Sequence, residues 1–192
     1  MLFSYDIDIH RNGSINNLKV VIILMEEKML ESLKPDYYYS DISQIDLDLL
    51  KSSGIKGIIC DIDNTIVAWS QTEILQETDD WIKQLKKEGF LVCLVSNGLN
   101  RRVQFFKEEL NIPAIGQAVK PRKKAYRKAK KILDLESSEI AVIGDQIFTD
   151  ILGGNRLNLV TILVDPVDNK EFITTKIMRF FERFVFTRGN FD

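Results

Sequence analysis

Short apolar runs alternate with helix-forming segments from Lys56 to Val164. The runs have the length of single strands and are rich in branched side chains, which predicts strands at residues 56–62, 90–95, 118–119, 139–143 and 159–164. The segments between them predict helices at residues 73–88, 99–110, 123–133 and 149–157. Strands and helices that alternate in this way form parallel βαβ units. The predicted fold is therefore α/β, a doubly wound, Rossmann-like parallel sheet with helices on both faces.

The composition is that of a globular protein able to bury a core. The chain has 192 residues, of which 45% are hydrophobic and 28% are charged, and its net charge of −2 favours no class of partner. No apolar stretch approaches the ~20 residues of a membrane span. Cys60 and Cys93 both lie in strand-like runs, which is typical of reduced, buried thiols. We expect a cytoplasmic protein, with the inner surface of a membrane as a further site of action.

Residues 25–192 are predicted to form one domain, with residues 1–24 as an N-terminal appendage that need not be ordered. The segment 171–186 predicts an amphipathic helix with a stripe made of Ile173, Ile177, Phe180, Phe181 and Phe184. Lys176, Arg179 and Arg183 lie off this stripe. A basic helix with such a stripe can contact an anionic membrane, or the stripe can pack on the core of its own domain. Both roles stay open.

Two carboxylates directly follow the first predicted strand. Asp61 and Asp63 are two residues apart, so they leave the end of the strand in the same direction. Two converging carboxylates repel each other unless a cation or a proton lies between them, which favours a divalent metal with oxygen ligands, Mg²⁺ first. An ordinary turn is the alternative. A calcium loop of the EF-hand type is excluded, because Ile66 and Thr72 replace its glycine and glutamate.

Polar residues follow the other predicted strands as well. They are Ser96 and Asn97, then Lys120, then Asp145 with Asp150. Because the carboxyl ends of parallel strands lie at one edge of a sheet, these side chains can meet in a single crevice. Acids around a metal, with a lysine and a hydroxyl for phosphate oxygens, suit phosphoryl transfer. Three of them have ordinary alternatives, Ser96 and Asp150 as helix caps and Lys120 as a surface lysine, whereas the turn after the apolar run 141–143 supports Asp145.

The ordered motifs resemble those of the haloacid dehalogenase (HAD) superfamily of phosphohydrolases. DxDxT appears at residues 61–65, the strand-ending serine at Ser96, the lysine motif at Lys120-Pro121, and the last acidic motif at residues 144–150. The resemblance covers roughly residues 56–166 and shows no departure from the motif pattern. Within the superfamily, the chain resembles subclass IIIA and its branch of YqeG and phosphatidylglycerophosphate (PGP) phosphatases.

The resemblance implies a role for each motif residue. Asp61 would be the nucleophile that forms an aspartyl-phosphate, and Asp63 the general acid and base. Asp61, Asp145 and the main-chain carbonyl of Asp63 would bind Mg²⁺. Asp150 would orient Lys120 or support the metal from outside its ligand shell. The substrate phosphate would be held by Ser96 and Lys120, with Asn64, Thr65 and Asn97 as further substrate-binding candidates.

The spacing of the motifs leaves no room for an inserted cap domain. Only 30 residues separate Thr65 from Ser96, and only 23 separate Ser96 from Lys120. An open site admits bulky substrates, and the resemblance favours the phospholipid head group of PGP. Nucleic-acid ends, phosphoproteins and a soluble metabolite are alternatives, as is a non-catalytic scaffold of the same fold. The eight basic residues between Lys120 and Lys131 suit an anionic membrane, and nucleic acid as a second choice.

Overall fold

The computed structural model describes residues 13–71 and 73–167, with side chains from residue 20 onward. The chain divides into two units after Ser32. The described part of the first unit is helix α1, Gly13–Ser32. Among the described helices, none combines the length and the apolar character that a membrane crossing requires. The predicted domain boundary at residue 24 stays a prediction, and the amphipathic helix predicted at 171–186 lies outside the described residues.

A parallel sheet organises the second unit. Within the described residues it has six strands: β1 Tyr37–Tyr39, β2 Gly57–Cys60, β3 Leu91–Val95, β4 Ala114–Ile115, β5 Ile140–Gly144 and β6 Val160–Val164. Their order is β1-β6-β5-β2-β3-β4, and every neighbouring pair is parallel. The chain leaves β2 in one direction through β3 and β4, and returns to the opposite side of β2 with β5. The point between β2 and β5 is thus the switch point of a doubly wound sheet, where such folds hold their ligands.

Helices cover both faces of the sheet, as the alternating pattern predicts. They are α2 Leu47–Ser52, α3 Gln76–Lys87, α4 Asn100–Glu109, α5 Lys123–Leu133 and α6 Leu152–Asn155, with 3₁₀ turns at Ile42–Gln44 and Ser137–Glu139. Neighbouring residues of β2 point to opposite faces. Ile58 belongs to the core cluster that contains Leu85 of α3 and Phe106 of α4, whereas Ile59 belongs to the cluster that contains Tyr126 of α5. This core fixes the strand ends that carry the polar motifs.

The structure corrects the sequence-based elements at three places. The strand predicted at residues 118–119 is wrong: the strand is Ala114–Ile115, and the φ angles of Gln117 and Val119, +48° and +53°, place both in the left-handed region. Strand β1 and helix α2 lie before Lys56, where the pattern above predicts no strand. The helix predicted from residue 149 begins earlier, as a π-helical turn at Ile147–Ile151 that leads into α6.

Candidate active site

The chain turns sharply after β2, and this turn carries the first motif. The backbone N–H of Asp61 donates to the carbonyl of Ile143 at 3.0 Å, so Asp61 is still held against β5. The carbonyl of Ile62 then accepts hydrogen bonds from the N–H groups of Thr65, Ile66 and Val67. Asn64 has a φ of +63°, a conformation that asparagine tolerates better than most residues. The turn leaves Asp61 buried and Asp63 half-buried at the edge of the sheet.

Two side chains from the next part of the chain hold the carboxylate of Asp63. The hydroxyl of Ser96, directly after β3, donates to Asp63 Oδ2 at 2.9 Å. The Nε of Arg102 in α4 donates to Asp63 Oδ1 at 2.8 Å. Ser96 is itself fixed because its hydroxyl accepts the backbone N–H of Gly98 at 2.8 Å. Both oxygens of Asp63 are therefore oriented by groups that do not belong to its own loop.

Lys120 joins the first and the last acidic motifs. Its Nζ lies 2.6 Å from Oδ1 of Asp61 and 2.7 Å from Oδ1 of Asp150, and its side chain is almost completely buried. The backbone N–H of Lys120 donates to Oδ1 of Asn97 at 2.7 Å. The following peptide bond, to Pro121, is cis. Asn97 thus fixes the backbone at the point where the lysine side chain enters the site.

Thr65 joins the loop after β2 to the loop after β5. Its hydroxyl donates to Asp145 Oδ1 at 3.2 Å and accepts the backbone N–H of Asp145 at 3.1 Å. Both residues are buried. In this structure the hydroxyl of Thr65, a candidate substrate-binding group, contacts Asp145, so the contact we observe orients an acid.

Asp150 is held close to the strand end by its neighbours in the π-helical turn. Its Oδ2 accepts hydrogen bonds from the backbone N–H of Gln146 at 3.3 Å and from the hydroxyl of Thr149 at 3.2 Å. A Cβ added at Gly144 would lie 2.3 Å from Cγ of Asp150. Carbon atoms in contact need about 3.5 Å. Only a glycine at the end of β5 therefore allows Asp150 to approach Lys120 in this way.

The site concentrates negative charge away from water. Oxygens of Asp61, Asp145 and Asp150 lie within 4.8 Å of one another. Burial, with repulsion from Asp150, raises the pKa of Asp61 to about 7 although Lys120 opposes the shift. Burial and Asp150 likewise raise the pKa of Asp145 to about 6. Burial disfavours the charge of Lys120, but attraction to Asp150 and Asp61 outweighs it and raises the pKa of the lysine.

The charge and the donor atoms fit a divalent cation. Three ionised carboxylates and one ammonium leave two negative charges, which one divalent ion would neutralise. Carboxylate oxygens are the ligands that hard cations such as Mg²⁺ prefer. Within the described residues, Oδ1 of Asp61 is buried and has the ion pair with Lys120 but no hydrogen bond. The cluster of Asp61, Asp145 and Asp150 is thus suited to hold a metal.

A cavity of about 390 Å³ opens beside this cluster. Its lining includes most of the residues predicted from the sequence: Asp61, Asp63, Asn64, Ser96, Asn97 and Lys120. Asp145 and Asp150 are buried and do not line the cavity. Between β2 and β3 the described residues contain a loop and α3, and between β3 and β4 they contain α4 and its loops. This part of the chain therefore contains no inserted domain.

Arg102 is a site residue that sequence reasoning missed. Besides the ion pair with Asp63, its guanidinium donates to the carbonyls of Ala68 and Gln71, which lie in the loop after the first motif. Arg101 is adjacent, and no motif distinguishes the two arginines. Helical phase could have done so: Arg102 lies one turn before the buried Phe106 and packs over its ring at 5.3 Å, whereas Arg101 is exposed.

If Asp63 is the general acid that the family resemblance implies, we expect Arg102→Gln to slow the hydrolysis of an alkyl phosphate by roughly 10- to 100-fold, because Asp63 would lose one of the two groups that orient it. Hydrolysis of an aryl phosphate should fall much less, since a phenolate-type leaving group needs little protonation. The measurement is kcat for both substrates, with Arg101→Gln as the matched control. An equal loss on both substrates would show that Arg102 supports the loop and does not position the acid.

Comparisons with known proteins agree with this arrangement. A family model described as mitochondrial PGP phosphatase matches residues 15–168. The probable phosphatase YqeG of Bacillus subtilis is 41% identical over 149 residues, which cover 78% of this chain and 87% of that protein. A second relative is phosphatidylglycerophosphate phosphatase 1, chloroplastic/mitochondrial, of Arabidopsis thaliana. It is 28% identical over 182 residues, which cover 89% of this chain and 51% of the Arabidopsis protein.

Among solved structures, the chain is similar to a HAD phosphatase from Thermococcus onnurineus. The two are 17% identical and superpose with a TM-score of 0.46 over 52% of this chain and 50% of that one. The fold assignment depends on the sheet itself and on the sequence relatives. The parallel sheet, the ordered motifs and these relatives define a phosphatase of the HAD superfamily. Within that superfamily the chain belongs to the family of YqeG and PGP phosphatases, which confirms the resemblance found in the motifs.

Proposed function

We propose that this phosphatase hydrolyses the phosphate monoester of phosphatidylglycerophosphate, with Mg²⁺, through an aspartyl-phosphate on Asp61. The observation that carries the mechanism is the buried Asp61 beside Lys120 and Asp145 at the open cavity. Support for the substrate comes from the family description and from the Arabidopsis relative, of which the chain spans about half. The reaction would take place from the cytoplasmic side, at the surface of the membrane that contains this lipid.

The metal would be held by the side chains of Asp61 and Asp145 with the main-chain carbonyl of Asp63. When bound, it supplies positive charge for the oxygens of the phosphoryl group. Asp150 would keep its ion pair with Lys120. Lys120 would then be oriented by one acid while its charge reaches both Asp61 and the substrate phosphate. The hydroxyl of Ser96 and the amide of Asn97, which both line the cavity, would complete the phosphate site.

In the first half of the reaction, a carboxylate oxygen of Asp61 attacks the phosphorus atom. The bond between phosphorus and the leaving alcohol breaks, and Asp63 gives its proton to the alcohol oxygen. In the second half, Asp63 takes a proton from water, whose oxygen attacks the phosphorus of the aspartyl-phosphate. The bond to Asp61 breaks and inorganic phosphate leaves. The contacts of Asp63 with Ser96 and Arg102 would keep it on the leaving-group side.

The substrate is tested by comparing kcat/KM for phosphatidylglycerophosphate in mixed micelles with that for an oligonucleotide phosphate, a phosphoserine peptide and glycerol phosphate. We expect the lipid to be preferred by at least about 100-fold, a ratio that requires contacts beyond the phosphate. A higher value for the oligonucleotide or the peptide would contradict the lipid assignment and leave the phosphatase mechanism intact.

Metal binding is expected to stabilise the protein in a pH-dependent way. With Mg²⁺ at about 100 times its Kd, Tm should rise by roughly 5–10 °C at about pH 8. The rise should be much smaller at about pH 5, because Asp61 and Asp145, with pKa values of about 7 and about 6, then hold protons that the metal must displace. Thermal unfolding with and without EDTA measures this. Asp145→Asn should lose the shift and Asp165→Asn should retain it; an unchanged shift in Asp145→Asn would exclude the proposed ligand set.

A further inference from the structure

Four exposed apolar residues either line the cavity or are next in the chain to residues that line it. They are Trp69, Leu99, Val119 and Phe148, with exposed fractions of 73%, 73%, 53% and 59%, and we call them the mouth ring. Trp69 lines the cavity itself. The other three are chain neighbours of the lining residues Gly98, Lys120 and Thr149. The mouth ring thus brings exposed apolar surface next to the residues of a polar cavity.

The ring is built from separate parts of the chain. Trp69, Leu99 and Val119 come from the loops that follow β2, β3 and β4, and Phe148 comes from the π-helical turn that follows β5. Single exposed apolar residues are ordinary, but several of them converging around one opening are characteristic of an interaction surface. A polar substrate alone would not require them, because the phosphate contacts come from the residues inside the cavity.

Positive charge lies next to the ring. Arg101 is two residues after Leu99, and Arg122, Lys123 and Lys124 follow Lys120 into the start of α5; all four are exposed. Among the described residues, none of these four makes an ion pair. Aromatic and aliphatic side chains flanked by exposed cations are the composition of surfaces that bind the interface of an anionic bilayer.

We propose that the mouth ring docks on the surface of an anionic lipid bilayer, with its apolar side chains among the head groups and its cations on the lipid phosphates. The inference depends on the proposed function, because a lipid monoester is the substrate that such docking would serve. The active site would then open directly onto a phosphate that projects from the membrane, and the acyl chains could remain in the bilayer.

Trp69 reports the docking directly. The chain has two tryptophans, and Trp81 is buried. In full-length Trp81→Phe protein, we expect the fluorescence of Trp69 to shift to the blue with vesicles of phosphatidylglycerol and phosphatidylcholine, and to be quenched by brominated lipid. Vesicles of phosphatidylcholine alone should give a weaker response. Emission that stays unchanged with the anionic vesicles would overturn the proposal.

Vesicle flotation supplies the second measurement. Serine at all four ring positions should lower the partition coefficient of the full chain at least about 10-fold, since binding scales with buried apolar area. The matched control places serine at Leu49, Leu75, Leu91 and Ile132, which are also exposed. Equal partitioning of the two variants would assign membrane binding to another part of the chain and overturn the proposal. In the fluorescence experiment, a blue shift that appears without lipid and grows with protein concentration would indicate self-association and would also overturn it.

These outcomes are separable from those of the substrate test. If Trp69 enters the bilayer but phosphatidylglycerophosphate is not hydrolysed, the substrate assignment is wrong and the docking surface stands. If that lipid is hydrolysed efficiently while Trp69 stays in water, the docking surface is wrong and the substrate assignment stands.

Discussion

Asp61→Asn is expected to lower kcat for an aryl phosphate by at least about 10⁴-fold, the scale seen when a covalent nucleophile is removed. An amide in place of the carboxylate cannot attack phosphorus, and the neighbouring acids Asp150 and Asp145 are held in place by Lys120 and Thr65. The loss should be the same at every substrate concentration above KM. Steady-state kinetics with Mg²⁺ measure it.

The variant should remain folded, which separates lost chemistry from lost structure. The surroundings raise the pKa of Asp61 to about 7, so ionising this group at about pH 8 costs stability in the metal-free protein, and Asn removes that cost. Metal-free Asp61→Asn is therefore expected to unfold at a Tm equal to or above that of the wild type. Asp165→Asn, just after the end of β6, is the control. Retained turnover in Asp61→Asn would refute the mechanism.

Lys120→Met is expected to destabilise the metal-free protein by roughly 3–5 kcal/mol at about pH 8, because it leaves a buried cluster of acids without its cation. The lysine Nζ contacts both Asp61 and Asp150, and the methionine supplies bulk but no charge. A protein with a carboxyl group whose pKa is higher in the folded than in the unfolded state becomes less stable as pH rises. The destabilisation should therefore shrink towards about pH 5, where Asp61 and Asp145 are protonated.

Urea unfolding at both pH values, with EDTA present, measures this effect. Lys128→Met is the matched control: Lys128 lies in α5, the basic helix that follows Lys120, and is exposed, so its loss should change stability by less than about 0.5 kcal/mol. A loss for Lys120→Met that is equally large at both pH values would indicate a packing defect and not an electrostatic one.

The meeting of the motifs was predictable because it follows from sheet topology. Asp61 and Asp145 come after β2 and β5, which flank the switch point, and each lies at the end of an apolar run that only a buried parallel strand would contain. Once those runs are recognised as neighbours in one sheet, the carboxylates must lie at the same edge. Lys120 follows less directly, because its strand, β4, ends at Ile115 and a loop carries the lysine back to the site.

What could not be predicted depends on backbone angles and on contacts between side chains. The left-handed conformations of Gln117 and Val119 leave no trace in residue type, so a strand was assigned to residues that form a loop. Strand β1 has three residues and lies at the edge of the sheet, too short for an alternating pattern. The ion pair of Arg102 with Asp63 joins residues 39 positions apart and has no local signature.

The central claim is that Asp61 becomes phosphorylated, and trapping this intermediate tests it most directly. Asp63→Asn protein should accumulate it from an aryl phosphate, since the good leaving group needs no acid but the hydrolysis of the intermediate needs a base. Acid quench, borohydride reduction and peptide mass spectrometry should then find homoserine at position 61, only when substrate and Mg²⁺ are both present. Turnover with an unmodified Asp61, or homoserine at another position, would contradict the account.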